Sequence, residues 1–190
     1  MATVKIGRKG FGQVEPNHLS GIVTGQILAQ LPVDTATMGD IIENGRFAKY
    51  DYTKGKVNLT GPGEWMLIYN EEKLYDERKQ SHKDFAMVKT NYTDGEIVPR
   101  LISTVLGDIY TTNCLGKANT SDFAVVDDGI EIDDSNLSAV TFAINKTTGY
   151  LDMVGGTNDA SLDKEGPIFA IVKIYTMADG QPGVKLMRIK

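Results

Sequence analysis

The sequence is poor in the residue types on which most enzyme active sites depend. It has one cysteine, Cys114, and two histidines, His18 and His82, which stand far apart along the chain. A single cysteine excludes an intrachain disulfide, and two separated histidines do not give the ligand spacing of a zinc site. The sequence therefore predicts a protein that is not an enzyme and that holds no metal or other cofactor.

Long apolar runs are also missing. No stretch approaches the roughly 20 apolar residues of a membrane-spanning helix. The segment 1–12 is polar and basic, unlike the apolar centre of a secretory leader. With 41% hydrophobic and 24% charged residues, the chain has the composition of a globular protein. We expect intracellular synthesis and no association with a membrane.

Charge is distributed unevenly. Residues 1–12 and 181–190 each carry three basic side chains and no acidic one, whereas the whole chain has a net charge of −5. The part between them is therefore acidic and would be repelled by phosphate groups, so no binding to nucleic acid is expected. The two basic ends are either solvated termini or contacts for an acidic surface, such as a neighbouring subunit.

Asn-Gly and Asp-Gly pairs recur between stretches rich in Val, Ile, Phe, Tyr and Thr. They stand at 44–45, 94–95, 128–129 and 179–180, and Lys54-Gly55 is a further turn of this kind. Such pairs adopt the positive φ angles of tight hairpins. The pattern predicts a mainly β protein whose body is an antiparallel β-barrel or β-sandwich.

Two apolar runs indicate the core. Trp65 opens the run 65–69, and its large ring is expected to anchor the core. The run 167–175 is almost continuously apolar and predicts a central buried strand. Residues 71–84 have helix-forming composition with little apolar surface, so we expect at most one short helix there.

The chain divides into an extended N-terminal arm, residues 1–31, and a β-rich body, residues 32–190. The body is either one unit or two subdomains, at about 32–115 and 116–190. The apolar residues of the arm's first part, Val4, Ile6 and Phe11, need a surface, which is either another protein or the chain's own body.

A faint internal echo is visible. Gly39-Asp40-Ile41 precedes Phe47-Ala48, and Gly107-Asp108-Ile109 precedes Phe123-Ala124, but at a longer distance. We interpret this similarity as chance and not as a duplication.

Two groups of residues have side chains suited to nucleophilic or metal-binding chemistry. Cys114 has no glycine-rich elbow or helix start beside it to lower its pKa, so it is expected to be structural and half-buried. The acidic run 127–134 does not match a twelve-residue calcium loop. Alternation across Ile130 and Ile132 instead predicts a strand whose acidic side chains face water, with an adventitious calcium site as the alternative.

The segment 39–51 (GDIIENGRFAKYD) resembles the β-rich opening of the capsid decoration, or cement, proteins of tailed bacteriophages. In that family a strand enters, turns at a glycine and returns. The basic N-terminal segment is similar to the extended arms by which such proteins grip the shell.

This resemblance implies a virion structural protein, made in the host cytoplasm and located on the outer capsid surface. It would stabilise the shell by bridging subunits of the major capsid protein, its expected partner. A homo-oligomer on the shell is a further partner that the resemblance allows. The resemblance assigns capsid binding to the arm, through Val4, Lys5, Ile6, Arg8, Lys9 and Phe11. Deletion of residues 1–12 is then expected to leave the body folded and to abolish retention on capsids.

Two alternatives remain open from the sequence. The first is a tail, baseplate or host-glycan-binding β-module, for which Tyr69, Tyr75 and Tyr92 are candidates for an exposed aromatic platform. The second is a small β-fold hydrolase, which the sparse histidine and cysteine inventory supports poorly; mutation of Cys114 together with an activity screen would test it.

Overall fold

The fold is that of a mainly β protein in a computed structural model, which describes residues 3–7, 11–70, 86–88, 97–116, 130–178 and 180–190. The paired strands are antiparallel and the sheets pack in a sandwich-like arrangement, as the sequence predicted. Two short α-helices lie in the first part of the chain, and 3-10 turns cover Asp134–Ala139 and Asp159–Ser161. The elements are β1 (Thr3–Ile6), β2 (Val14–His18), α1 (Ser20–Val23), β3 (Ile27–Leu28), α2 (Thr35–Met38), β4 (Ile41–Glu43), β5 (Phe47–Asp51), β6 (Lys56–Asn58), β7 (Trp65–Ile68), β8 (Ala86–Val88), β9 (Leu101–Ile102), β10 (Ile109–Thr112), β11 (Ile130–Asp133), β12 (Thr141–Asn145), β13 (Leu151–Met153), β14 (Leu162–Thr176) and β15 (Pro182–Arg188).

The predicted turns have different outcomes. Gly55, with φ 63°, closes the β5–β6 hairpin, and Gly180, with φ 85°, lies in the β14–β15 hairpin, so both predictions are confirmed. Gly45 also has a positive φ, 93°, but it links β4 to β5, which belong to different sheets. The hairpin interpretation of that pair is wrong, because a tight turn fixes where a chain reverses and not which strand it pairs with. The pairs at 94–95 and 128–129 and the segment 71–84 lie outside the described residues.

The two large sheets repeat one strand order. One has five strands in the order β3-β9-β7-β5-β6, and the other has six in the order β10-β15-β14-β12-β13 when read from β10, with β2 outside β10. The matching strands also follow one another in the same sequence along the chain. The chain thus folds as two topologically equivalent halves, which we call the first half (β3–β9) and the second half (β10–β15).

Smaller features repeat in the same places. Val33 forms a parallel bridge to Val57 in β6, and Leu115 forms the equivalent bridge to Leu151 in β13. The residue after each of these bridging positions donates its N–H to the opposite strand, to the carbonyl of Val57 or of Leu151, at 2.8 Å in both halves. The repeat is therefore more than a shared strand order.

The hairpins β5–β6 and β12–β13 carry the sequence trace of this repeat. Residues 51–58 (DYTKGKVN) and 145–152 (NKTTGYLD) have an Asp/Asn pair at their ends and Thr and Gly at the same inner positions. The end residues bond to each other across both turns, at 3.1 Å from Asn58 Nδ2 to Asp51 Oδ2 and at 2.8 Å from Asn145 Nδ2 to Asp152 Oδ2. This similarity lies at other residues than the Gly-Asp-Ile pair. Gly39-Asp40-Ile41 leads into β4 and Gly107-Asp108-Ile109 leads into β10, which are not equivalent strands, so the interpretation of that pair as chance stands.

One hydrophobic core joins the halves. The rings of Phe47 in β5 and Phe169 in β14 lie 5.4 Å apart, and both side chains are fully buried. Trp65 is buried in this core, as predicted. β14 is a central strand, flanked by β12 and β15, but Val172 is 48% exposed, so the prediction that the whole run 167–175 is buried is wrong. Among the described elements, none covers that residue on the outer face of β14.

The N-terminal segment supplies two strands that pair with strands of the second half. β1 pairs with β11, and β2 pairs with β10. β11 of the second half is equivalent to β4 of the first half. β4 pairs with β8, and β11 pairs in the same way with β1. Of the predicted arm, residues 1–31, β1 and β2 are extended, but Ser20–Val23 is helical, so the prediction of an arm extended throughout is wrong. Both strands lie on the chain's own body, which is the second of the two alternatives left open by the sequence.

Candidate interaction surface

The residues predicted to form a capsid-binding arm have different environments. Val4 and Phe11 are half-buried and Lys5 is exposed, whereas Ile6 is fully buried in the core. Ile6 is therefore unavailable as an apolar anchor for another protein, because its side chain already packs within this chain. Arg8 and Lys9 lie outside the described residues.

A buried carboxylate fixes the segment that follows β1. Glu43 at the end of β4 is 3% exposed. It accepts hydrogen bonds from the backbone N–H of Gly12 through Oε2 and from the hydroxyl of Tyr150 through Oε1. One side chain thus ties together the N-terminal segment, the first half and the second half, and we interpret its role as structural.

The buried guanidinium of Arg46 is next to this junction. Its carbon lies 4.8 Å from the centre of the Tyr150 ring. It donates to the carbonyl oxygens of Met38 and Ile41, both at 2.9 Å, and to that of Thr148 at 2.8 Å and 3.2 Å. All of these partners are backbone groups, so this cation holds loops in place.

The residues considered for chemistry do not come together in the described part of the chain. Cys114 is fully buried, not half-buried, because Gly12 and Gly45 pack directly against its side chain. His18 is exposed on β2, and His82 lies outside the described residues. Within the described ranges, no three His, Cys, Asp or Glu side chains are grouped to hold a metal ion.

The acidic run is only partly described. β11 is the strand that the sequence predicted, with Glu131 exposed and Ile132 1% exposed. Asp127 and Asp128 lie outside the described residues. The alternation around Ile132 is therefore confirmed, and a cation site there stays a prediction.

Exposed apolar side chains lie on three segments that converge at Asp108. Val23 is 81% exposed, Leu106 is 68% exposed, and Val105 and Ile189 are exposed by 41% and 46%. We call these four residues the apolar end. Three separate segments supply them: α1, the turn before β10 and the last residues after β15.

Asp108 holds these three segments together. Its Oδ1 accepts the N–H and the hydroxyl of Ser20, at 2.9 Å and 2.7 Å, and its Oδ2 accepts the N–H of Val105 at 2.9 Å. Its backbone carbonyl accepts the N–H of Arg188 at 2.9 Å. Because Asp108 is 1% exposed, these bonds give the apolar end a fixed shape.

Two connected grooves lie on the surface beside this end. The first, of about 330 Å³, is lined by Leu28, Tyr50, Tyr52, Pro62, Glu64 and Met66. The second, of about 470 Å³, shares Glu64 with it and continues past Trp65 towards Lys190. Tyr52 is 70% exposed and faces the first groove.

The floor of the second groove joins the two halves. Trp65 Nε1 donates to Asp163 Oδ2 at 2.7 Å, and Lys49 Nζ lies 4.6 Å from the centre of the indole ring. Burial tends to raise the pKa of Asp163, but hydrogen bonds from Trp65 and from the N–H groups of Gly166 and Glu165 outweigh it. The pKa of Asp163 is lowered, and its carboxylate stays charged beside the indole N–H.

Sequence reasoning did not find the apolar end. The available signal is the apolar pair Val105-Leu106 directly before Gly107-Asp108, where a turn would expose it. Of the predicted aromatic platform, Tyr69 is 6% exposed, because it is part of the core, and Tyr75 and Tyr92 lie outside the described residues. Tyr52 is an exposed aromatic residue that was not predicted.

No protein-family model, curated protein or solved structure matches this chain. None of the helices in the described ranges is long and apolar enough to cross a membrane.

Proposed function

We propose that this chain is a non-enzymatic structural protein of a virus particle, and specifically a decoration protein on the outside of a tailed-phage capsid. It attaches to major capsid subunits and bridges them, so that modest contacts at several places add up to firm attachment. The proposal joins the resemblance of segment 39–51 to decoration proteins with a surface suited to binding another protein.

The apolar end is the observation that carries this proposal. Leu106 and Val23 are the most exposed of its large apolar side chains, and they stand on a junction held rigid by Asp108. A fixed patch of apolar side chains loses little conformational entropy on binding, and patches of this kind mark protein interaction sites. Lys5, which is exposed on β1, remains part of the proposed contact.

The experiment that tests the proposal uses particles of the virus that encodes the chain. Particles stripped of the protein are mixed with the purified chain, and bound protein is located by electron microscopy with a specific antibody. We expect label on the head. Leu106→Asp is expected to lower the affinity at least tenfold, because it places a charge in the apolar contact. Val172→Asp is the matched control, on an exposed apolar residue of β14, and should change it less than twofold.

Three results would contradict the proposal. They are the absence of the chain from purified particles, label confined to the tail, and equal binding of the Leu106→Asp and control variants.

The glycan-binding alternative retains one supporting observation. Tyr52 presents most of its ring to solvent beside a groove that contains Glu64, and such a ring can stack on a sugar. Binding of the chain to host surface sugars, lost in Tyr52→Ala and absent on empty capsids, would favour that alternative.

A further inference from the structure

We propose that the open edge of β3 is an acceptor site for an extended segment of the partner protein, which adds to the first half as one more antiparallel strand. This inference rests on the proposed function, since it assumes that the partner is a protein, and it names where and how that partner binds.

The internal repeat shows what such an edge accepts. In the second half, the strand equivalent to β3 is β10, and its outer edge is covered by β2 in antiparallel pairing. In the first half, β3 has β9 on one side and no strand on the other within the described residues. Among the described residues, this position is therefore filled in one half by an extended segment and is open in the other.

The other edges of the two large sheets are protected. Val33 bridges to the outer side of β6, and Leu115 bridges to that of β13. β2 carries Pro16 and an irregular register, both of which hinder the addition of a further strand. Ile27 and Leu28 of β3 have none of these devices.

The backbone beside β3 offers a hydrogen-bond donor. Ala29 directly follows the strand and is exposed, and its N–H donates no hydrogen bond within the part of the chain that the structure describes. Added strands bind through main-chain hydrogen bonds of this kind, while pockets for alternate side chains provide specificity.

The first groove supplies such a pocket. Leu28 and Met66 lie on the face of the sheet opposite to Phe47, and the exposed ring of Tyr52 stands beside them. Glu64 is the charged residue among those that line this groove, and it is exposed. The chemistry fits an extended segment with an apolar or aromatic side chain for the groove and a lysine or arginine for Glu64.

The position is continuous with the apolar end. Val23 lies four residues before Ile27, and Gln26, directly before β3, accepts the N–H of Ser103, which leads to Leu106. A partner docked on the apolar end is thereby placed to extend a segment along β3.

The test uses the whole purified chain and a displayed library of random twelve-residue peptides as the probe. Selected peptides are synthesised, and their dissociation constants are measured for the unchanged chain and for Ala29→Pro and Ala29→Ser. Proline removes the N–H and blocks strand addition, whereas serine keeps it. We expect peptides with an apolar residue near a basic one, a loss of at least tenfold in Ala29→Pro and less than twofold in Ala29→Ser.

Two further measurements support this comparison. Amide hydrogen exchange should slow at Ile27 and Ala29 when a selected peptide binds. If circular dichroism shows that Ala29→Pro is unfolded, Tyr52→Ala takes its place, since it leaves the backbone intact and is expected to weaken the same peptides at least tenfold.

The inference is overturned if no peptide is selected, if the selected peptides bind Ala29→Pro as tightly as the unchanged chain, or if they protect amides elsewhere. Self-association of the chain that Ala29→Pro abolishes would also overturn it, because a second copy would then be the occupant. No particle enters these measurements, so a chain that rebinds particles but fails here loses only the β3 site.

Discussion

Tyr110 in β10 has an environment that could not be predicted from the sequence. The side chain is fully buried, and its ring meets that of Phe169 edge to face at 5.8 Å. Its hydroxyl has no hydrogen-bond partner in the described structure. Burial raises the pKa of this hydroxyl well above its usual value of 10.0, and the nearby Cys114 adds to the effect.

We predict that Tyr110→Phe changes how stability depends on alkaline pH. Because the folded-state pKa is raised, the unfolded chain loses this proton first, so stability is intact below about pH 10 and falls as the pH rises towards the folded pKa. Between the unfolded and folded pKa values, this one group makes the free energy of unfolding decrease by up to about 1.4 kcal/mol more per pH unit. Removing an unpaired buried hydroxyl should raise the free energy of unfolding at neutral pH by about 1 kcal/mol.

Urea denaturation of both proteins between pH 8 and pH 11 measures the effect. The other tyrosines are common to both, so the difference isolates Tyr110. Curves that run parallel across this range would contradict the prediction.

Other single residues were predictable to different degrees. Trp65 was placed correctly, because a large ring in the most apolar short run has few alternatives to burial. Glu43 was not, because its partners, the N–H of Gly12 and the hydroxyl of Tyr150, are brought together only by the fold. Sequence distance hides such contacts, and no local pattern marks a buried acid that is satisfied in this way.

At the scale of elements, the hairpins β5–β6 and β12–β13 allow a matched comparison. Gly55 and Gly149 occupy equivalent positions and have φ angles of 63° and 76°. A Cβ at Gly55 would have no neighbour within 4 Å, whereas a Cβ at Gly149 would collide with the carbonyl oxygen of Phe47. That neighbour is backbone and cannot move aside cheaply.

We therefore predict that Gly55→Ala costs about 1 kcal/mol, the cost of an L-residue in this conformation. Gly149→Ala should cost more, about 3 kcal/mol, because the collision adds to the same backbone strain. Thermal and urea unfolding of both variants decide the order. Equal losses would mean that the contact with Phe47 is not maintained in solution.

Hairpins such as these were within reach of the sequence, whereas sheet membership was not. Lys54-Gly55 reverses the chain between two short β-rich runs, and that information is local. Asn44-Gly45 has the same turn-forming pattern, yet the strand before it, β4, pairs with β8, which is distant in the sequence. Long-range pairing depends on the packing of both faces, which alternation in one strand does not specify.

At the scale of the whole molecule, the described N-terminal strands belong to the body. β1 pairs with β11 over four residues, and β2 pairs with the outer edge of β10. The sequence predicted an extended segment with apolar anchors. Composition did not determine whether those anchors pack against the chain itself or against another protein. The second half is complete only with β1 and β2, which precede the first half in the sequence. This separation explains why the repeat is hard to detect in the sequence.

The consequence is a changed expectation for truncation. Deletion of residues 1–12 removes β1, Ile6 and the Gly12 donor to Glu43, so it should lower the melting temperature instead of leaving the body intact. Ile6→Ala alone is predicted to cost at least about 2 kcal/mol, as for other buried isoleucines. Lys5→Ala, at the exposed neighbouring position, is the control and should cost at most about 1 kcal/mol.

Circular dichroism melting measures these three proteins side by side. A truncated chain that melts at the same temperature as the full chain would show that β1 is dispensable to the body, and it would restore the idea of a separate arm.

The indole of Trp65 has a further consequence for work on this chain. It is the one tryptophan of the sequence, and its N–H reaches across to Asp163 of the second half. The tryptophan fluorescence of the unlabelled protein, excited selectively over its tyrosines, therefore arises at the contact between the two halves. The wavelength of this emission is expected to shift when the two halves separate, so no dye or tag is needed to detect that event.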